Sequence, residues 1–266
     1  MNVTWRLAWR NLWRHSRRTW LTVGAMVFCN TLLVFLISLQ LGSYTMMIDN
    51  TLNAFTGHVQ IQHVAYLDEQ KMRQSVPDVQ ALAARVRVQE GVETAAARAV
   101  AFALASSDER SFGIQISGVE PAFEPGVSSF PGLVKEGRYL SPDAQDEIVI
   151  GKVLAENLKV GLGDELTFLG SGLDGSFAAA VATVVGIVAT GFDEADRGVA
   201  QVSLTWFQQV FAMGDHGHAV VIRAQHIDTV PTLVTQMLAL VADPVSYTHL
   251  TLPTTLPRCR SRWWRG

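Results

Sequence analysis

WLTVGAMVFCNTLLVFLISLQL, residues 20–41, contains no charged side chain, and the charge-free run around it extends over residues 19–48. As a helix these 22 residues would be about 33 Å long, against roughly 30 Å of bilayer hydrocarbon. The run predicts one transmembrane helix over residues 20–48. A cleaved signal peptide has a shorter apolar region, about 7–15 residues, ending in a small-x-small site. Neither Ser38-Leu39-Gln40 nor Gly42-Ser43-Tyr44 makes a good one, so the helix is expected to stay as an anchor. Asn30 within it fits either a hydrogen bond to a partner helix or a tolerated polar residue.

Charge is laid out unevenly on either side of this run. Residues 1–48 carry five arginines and no acid, whereas residues 49–244 hold all 24 acids and 12 of the 21 basic residues. Arginines cluster on the cytoplasmic side of membrane helices, which puts the N-terminus inside the cell and the acidic segment outside. The main domain is therefore expected on the extracytoplasmic side of a membrane. An acidic domain also argues against nucleic acid as a partner, because phosphate binding needs clustered Lys and Arg. Cys29 and Cys259 both lie outside it, so it has no disulfide framework and no CxxC metal site.

Ahead of the span, Trp5, Trp9 and Trp13 recur every four residues, with Arg6, Arg10 and Arg14 one position behind and Arg17 and Arg18 following. On a helix these make adjacent aromatic and cationic stripes. Residues 1–19 are read as an amphipathic helix in the lipid headgroup layer, with these eight residues at the membrane interface. An ordinary juxtamembrane extension is the alternative.

Residues 57–63 alternate apolar and polar as a strand with one wet face. Pro77-Asp78 opens a helix to residue 88, and residues 93–106 and 111–119 read as two strands. A Pro- and Gly-rich stretch, 120–132, reads as a linker or long loop. Beyond it come strands near 147–150 and 166–168, a hairpin tip at 170–175 and a continuous β run at 179–190. A helix at 206–211, a strand at 219–223 and an amphipathic helix at 230–241 complete an α+β pattern.

Catalytic signatures are missing. Gly151-Lys152 has neither the upstream glycine nor the Ser or Thr of a phosphate loop, and Ser117 and Ser171 do not sit in GxSxG. Asp215, His216 and His218 read as polar loop residues rather than metal ligands. Asp193, Glu194 and Asp196 lack EF-hand spacing and read as a solvated acidic loop. The expectation is no catalytic residue, no metal and no cofactor.

Several stretches, taken in order, resemble the membrane subunits of macrolide-export and lipoprotein-releasing ABC transporters (MacB, LolC/LolE and FtsX-like permeases). They are Leu7-Ala8-Trp9-Arg10-Asn11-Leu12-Trp13-Arg14, Gly57-His58-Val59-Gln60-Ile61 and Glu136-Gly137-Arg138-Tyr139-Leu140. Glu147-Ile148-Val149-Ile150-Gly151, Val160-Gly161-Leu162-Gly163-Asp164 and Val184-Val185-Gly186-Ile187 continue the series. The resemblance implies a two-lobed extracytoplasmic α+β domain over 49–243. A split β-α-β lobe would join 57–106 to 218–243, around an inserted β-rich lobe at 107–217. It also implies three further spans, a strand after the last helix, and a coupling loop contacting a separate ATP-binding subunit. A second permease copy is implied as well, and an extracytoplasmic carrier or outer-membrane partner is compatible with it. The cargo would be a lipoprotein, peptide or drug-like molecule. A membrane-anchored hydrolase and a single-span sensor or adhesion module are the rival readings. Two stretches near the C-terminus, residues 244–254 and Cys259-Arg260-Ser261-Arg262-Trp263, resemble a translated sequencing adaptor. Residues 244–266 are therefore read as a non-native tail that truncates the permease, against the alternative of a genuine basic tail.

Overall fold

The computed structural model describes residues 16–51, 57–66, 70–142, 145–226 and 229–240, with the side chains of the first segment described as far as Gln40. The chain divides into two compact units, Met1–Asn50 and Thr51–Gly266. The expected interfacial stripe before Ser16 and the adaptor-like tail lie outside the described residues.

Helix α1 (Ser16–Thr51) is 36 residues long, about 54 Å at the usual rise. Its Ser16–Gln40 portion is long and apolar enough to cross a membrane. Leu21, Met26, Val27, Phe28 and the run Leu32 to Ile37 are all exposed, so the helix is apolar all round rather than along one stripe. Water would penalise such a surface and lipid would not. Thr22 and Thr31 donate their hydroxyls to the carbonyls of Arg18 and Val27, so neither presents an unmet donor.

The second unit begins with β1 (Val59–Gln62), α2 (Val79–Arg87), β2 (Val92–Ser106) and β3 (Ser111–Val119). Next come the helical turn α3 (Glu124–Val127), a 3-10 turn (Phe130–Leu133), β4 (Val134–Gly137) and β5 (Glu147–Gly151). Then follow α4 (Lys152–Leu158), β6 (Glu165–Ser171), β7 (Phe177–Val188), α5 (Asp193–Gly198) and β8 (Val199–Ser203). The last described elements are α6 (Leu204–Val210), β9 (Ala219–Ala224) and α7 (Val230–Leu240).

Strand order is β1-β9-β2-β3-β8-β5-β7-β4, with β6 pairing both β2 and β7. Strands β2-β3-β8-β5-β7-β6 therefore close into a ring. Two contacts in it are parallel, β3 with β8 and β5 with β7; the others are antiparallel. One face of every ring strand feeds a common core: Ala103 and Ala105, Ile114 and Ile116, Ile148 and Ile150, Leu166 and Phe168, Ala182 and Val184, Ala200 and Val202. A closed set of strands encloses such a core without leaving edges. The same core continues to β1, β9, α2 and α7 through Val59, Ile61, Val220, Ile222, Val79, Val86, Leu233 and Met237.

Two stretches differ from expectation. Residues 120–132, expected as a linker, fold into α3 and the 3-10 turn and pack on the opposite face of β2 and β9. Val127 joins Ala96, Ala219 and Val221, and Phe130 joins Val119, Val149 and Val188. Proline is tolerated in a first helical turn, so the Pro-rich composition did not preclude these turns. Residues 193–198, expected as a solvated loop, form α5. Asp196 is buried there and accepts from the backbone N–H and hydroxyl of Thr190. At Gly137, φ is 76° and any Cβ would lie 2.2 Å from the Val185 carbonyl, so only glycine lets β4 pass β7 this closely.

Candidate functional site

The face of β2 turned away from the core carries Ala96, Arg98, Val100, Phe102 and Leu104, and it is treated differently along its length. Near Ala96 and Arg98 it is covered by α3, which brings a buried ionic cluster. Arg98 donates from Nε to Glu124 Oε2 at 3.1 Å and from Nη2 to Oε1, and Glu124 also accepts from the Ser128 hydroxyl at 2.7 Å. Glu124 is fully buried. Beside it, Glu120 accepts from Arg87 and from the Ala97 backbone N–H, and the Arg87 guanidinium lies 3.4 Å from the Phe123 ring centroid. Burial raises the Glu120 carboxyl and lowers the Arg87 guanidinium, each partly offset by the other's charge. Tyr139 donates to Gln201 at 2.7 Å, and burial, then the charge of Glu124, pushes its phenol up.

Where α3 ends, the face opens into a groove of about 770 Å³. Val100, Phe102, Leu104, Gln115, Leu169 and Val199 line it from β2, β3, β6 and β8, with Glu194 of α5 at one side. Arg98, held by Glu124, closes the covered end. The groove combines an apolar floor with a few polar groups at its margins.

The residues singled out from the sequence do not meet here. Trp5, Arg6, Trp9, Arg10, Trp13 and Arg14 lie outside the described residues; Arg17 and Arg18 are in the first turn of α1. His216 Nδ1 is 2.9 Å from the Ser75 hydroxyl and its Nε2 is 3.7 Å from Asp215. His218 is buried, accepts from the Val100 N–H through Nδ1 at 2.9 Å, and reaches the Met72 carbonyl through Nε2 at 3.2 Å. Both its ring nitrogens are thus committed to the backbone. Among the described residues no three His, Cys, Asp or Glu converge as metal ligands. The groove itself went unread. Its signal is that residues 99–105 are apolar at every position, where a strand with one wet face would alternate.

The chain thus joins an apolar helix of membrane-crossing length to a mixed α+β domain. The profile of the MacB-like periplasmic core domain matches residues 19–240, and the chain belongs to that family. Its members are components of ABC transporter permeases, which work with an ATP-binding partner and pair with a second permease. The extracellular domain of the noncanonic ABC-type transporter YknZ from Gram-positive bacteria is similar at TM-score 0.52 and 14% identity, covering 73% of this chain and 98% of that one. The periplasmic region of MacB from Actinobacillus actinomycetemcomitans is similar at TM-score 0.49 and 12% identity, covering 68% and 83%. A domain of a permease protein from Porphyromonas gingivalis gives TM-score 0.46 and 14% identity, covering 73% and 90%. No curated protein matches the chain.

Proposed function

We propose that this chain is the first membrane anchor and the exported domain of an ABC permease subunit of the lipoprotein-releasing or macrolide-export type. ATP hydrolysis on a separate subunit would drive motions of the membrane helices, and the exported domain would pass them to an extracytoplasmic cargo. The observation that carries this reading is that one family profile runs from within α1 to the end of α7 and so takes in both the apolar helix and the domain after it. The charge layout supports a cytoplasmic N-terminus at the inner membrane, with Trp5, Arg6, Trp9, Arg10, Trp13, Arg14, Arg17 and Arg18 at the headgroup layer. Pairing of β9 with both β1 and β2 supports a lobe made from 57–106 with 218–243, and 107–217 would be the inserted lobe.

Topology is tested by reporters fused after Gln60. Alkaline phosphatase, which needs export, will be active there, and a reporter that works only in the cytoplasm will be silent. The reverse pattern would overturn the reading. The cargo branch is separated by deleting the intact gene and comparing lipoprotein release from spheroplasts with macrolide susceptibility.

A further inference from the structure

We propose that the open groove on β2, β3, β6 and β8 docks a cationic amphipathic segment of a partner protein. The inference is independent of the transport reading, since it concerns binding alone.

Strand register places more apolar side chains on this face than the groove alone contains. Leu104 pairs with Leu169, which pairs with Ala179; Ser106 pairs with Thr167, which pairs with Val181; and Ser171 pairs with Phe177. These residues share one face, and on it Phe102 is 65% exposed, Leu104 42%, Val181 47% and Phe177 75%. Isolated exposed apolar residues need no explanation, but a stripe running across adjacent strands marks an interaction surface. From β3 across β2 and β6 to β7 it spans about 14 Å at the usual strand spacing, roughly the length of three turns of an α-helix. Two well-exposed phenylalanines on a rigid sheet are the type of anchor on which protein interfaces depend.

Charge selects the occupant. The same face carries Glu165 on β6, and Glu194 lines the groove beside the exposed Asp193; Arg197 is the one exposed cation on α5. Arg98, the other cation at the groove, is matched by Glu124. The surroundings are therefore net negative, within a segment, 49–244, that carries twice as many acids as bases. A second copy would bring the same negative charge, and anionic lipid headgroups would be repelled likewise. An apolar helix face flanked by Lys or Arg satisfies both floor and rim.

The test uses the full chain in nanodiscs of zwitterionic lipid, with the photo-reactive residue p-benzoylphenylalanine replacing Phe102 or, as a control, the still more exposed Val88 just after α2. The probe is an 18-residue Leu/Lys amphipathic helix, compared with its Leu/Glu counterpart. We expect adducts at position 102 about tenfold or more above those at 88, the factor that 1.4 kcal/mol of binding confers. They should fall with added salt, drop when Leu104→Ser and Val181→Ser are combined, and be absent with the Leu/Glu helix. Both serine changes are at exposed sites and leave the core untouched. Equal yields at 102 and 88, or equal yields from the two helices, would overturn the proposal. So would adducts at 102 formed only with lipid or with a second copy of the chain.

Discussion

At His218 the imidazole is almost fully buried, and both nitrogens are used in a way that only the neutral ring allows. Nδ1 faces the Val100 N–H, Nε2 donates to the Met72 carbonyl, and the ring stacks on Tyr66 at 4.9 Å between centroids. Protonating Nδ1 would set two donors against each other. Burial lowers the His218 pKa to about 4 and pushes Tyr66 up to about 12, while Asp215 raises the Asp78 carboxyl in the neighbouring loop. Because the unfolded ring takes its proton near pH 6.5 and the folded ring only near 4, the unfolded state binds more protons between those values. Stability is complete above pH 6.5 and falls as pH drops towards 4, by about 3 kcal/mol at most. The urea midpoint should follow that decline, and His218→Gln should flatten it. Glu124 carries a second prediction. Removing one partner of a buried ion pair strands the other, so Glu124→Ala should cost about 3–5 kcal/mol. Replacing both partners with apolar residues, Arg98→Met with Glu124→Leu, should recover most of that loss in the same urea titration.

Among the elements, α6 packs on β3 so closely that a Cβ at Gly118 would lie 2.6 Å from Phe207 Cβ, whereas Gly113 on the same strand has nothing within 4 Å. Gly118→Ala should therefore destabilise by about 1–3 kcal/mol, while Gly113→Ala should shift stability by about 0.5 kcal/mol or less. Comparing their urea midpoints checks this. The elements most easily read from sequence are those with strong local periodicity. Residues 111–119 and 230–240 are legible almost to the residue, because alternation or a helical stripe is visible within a few positions. β4 is not, since Val134-Lys135-Glu136-Gly137 has no apolar alternation and is a strand only because β7 lies alongside it. Residues 120–133 mislead for the opposite reason: their apolar side chains are spaced for contacts with distant strands, and Pro and Gly hide the turns. Closure of the ring through β6 and β2 is illegible in principle, because it depends on which strands meet rather than on what each one is. The groove inherits that limit, since its walls come from four strands and a helix scattered over a hundred residues of sequence.

For the second unit as a whole, one core reaches from β1 to α7 and through every strand of the ring, with no gap between the proposed lobes. The domain should therefore unfold in one cooperative step, with fluorescence and circular dichroism giving coincident urea transitions. Two separated transitions would show that the lobes fold independently. The pairing of Val59 with Ile222 also has a consequence for how the protein is made. The ribosome releases β1 soon after the apolar helix is complete, but its hydrogen-bonding neighbour β9 begins only at Ala219. At about 5–20 residues per second, the first strand waits on the order of 10–30 s with its backbone unmatched. Throughout that interval the nascent domain is vulnerable to proteases and to mispairing with neighbouring chains, so a chaperone at the exit site would protect it most just before β9 appears.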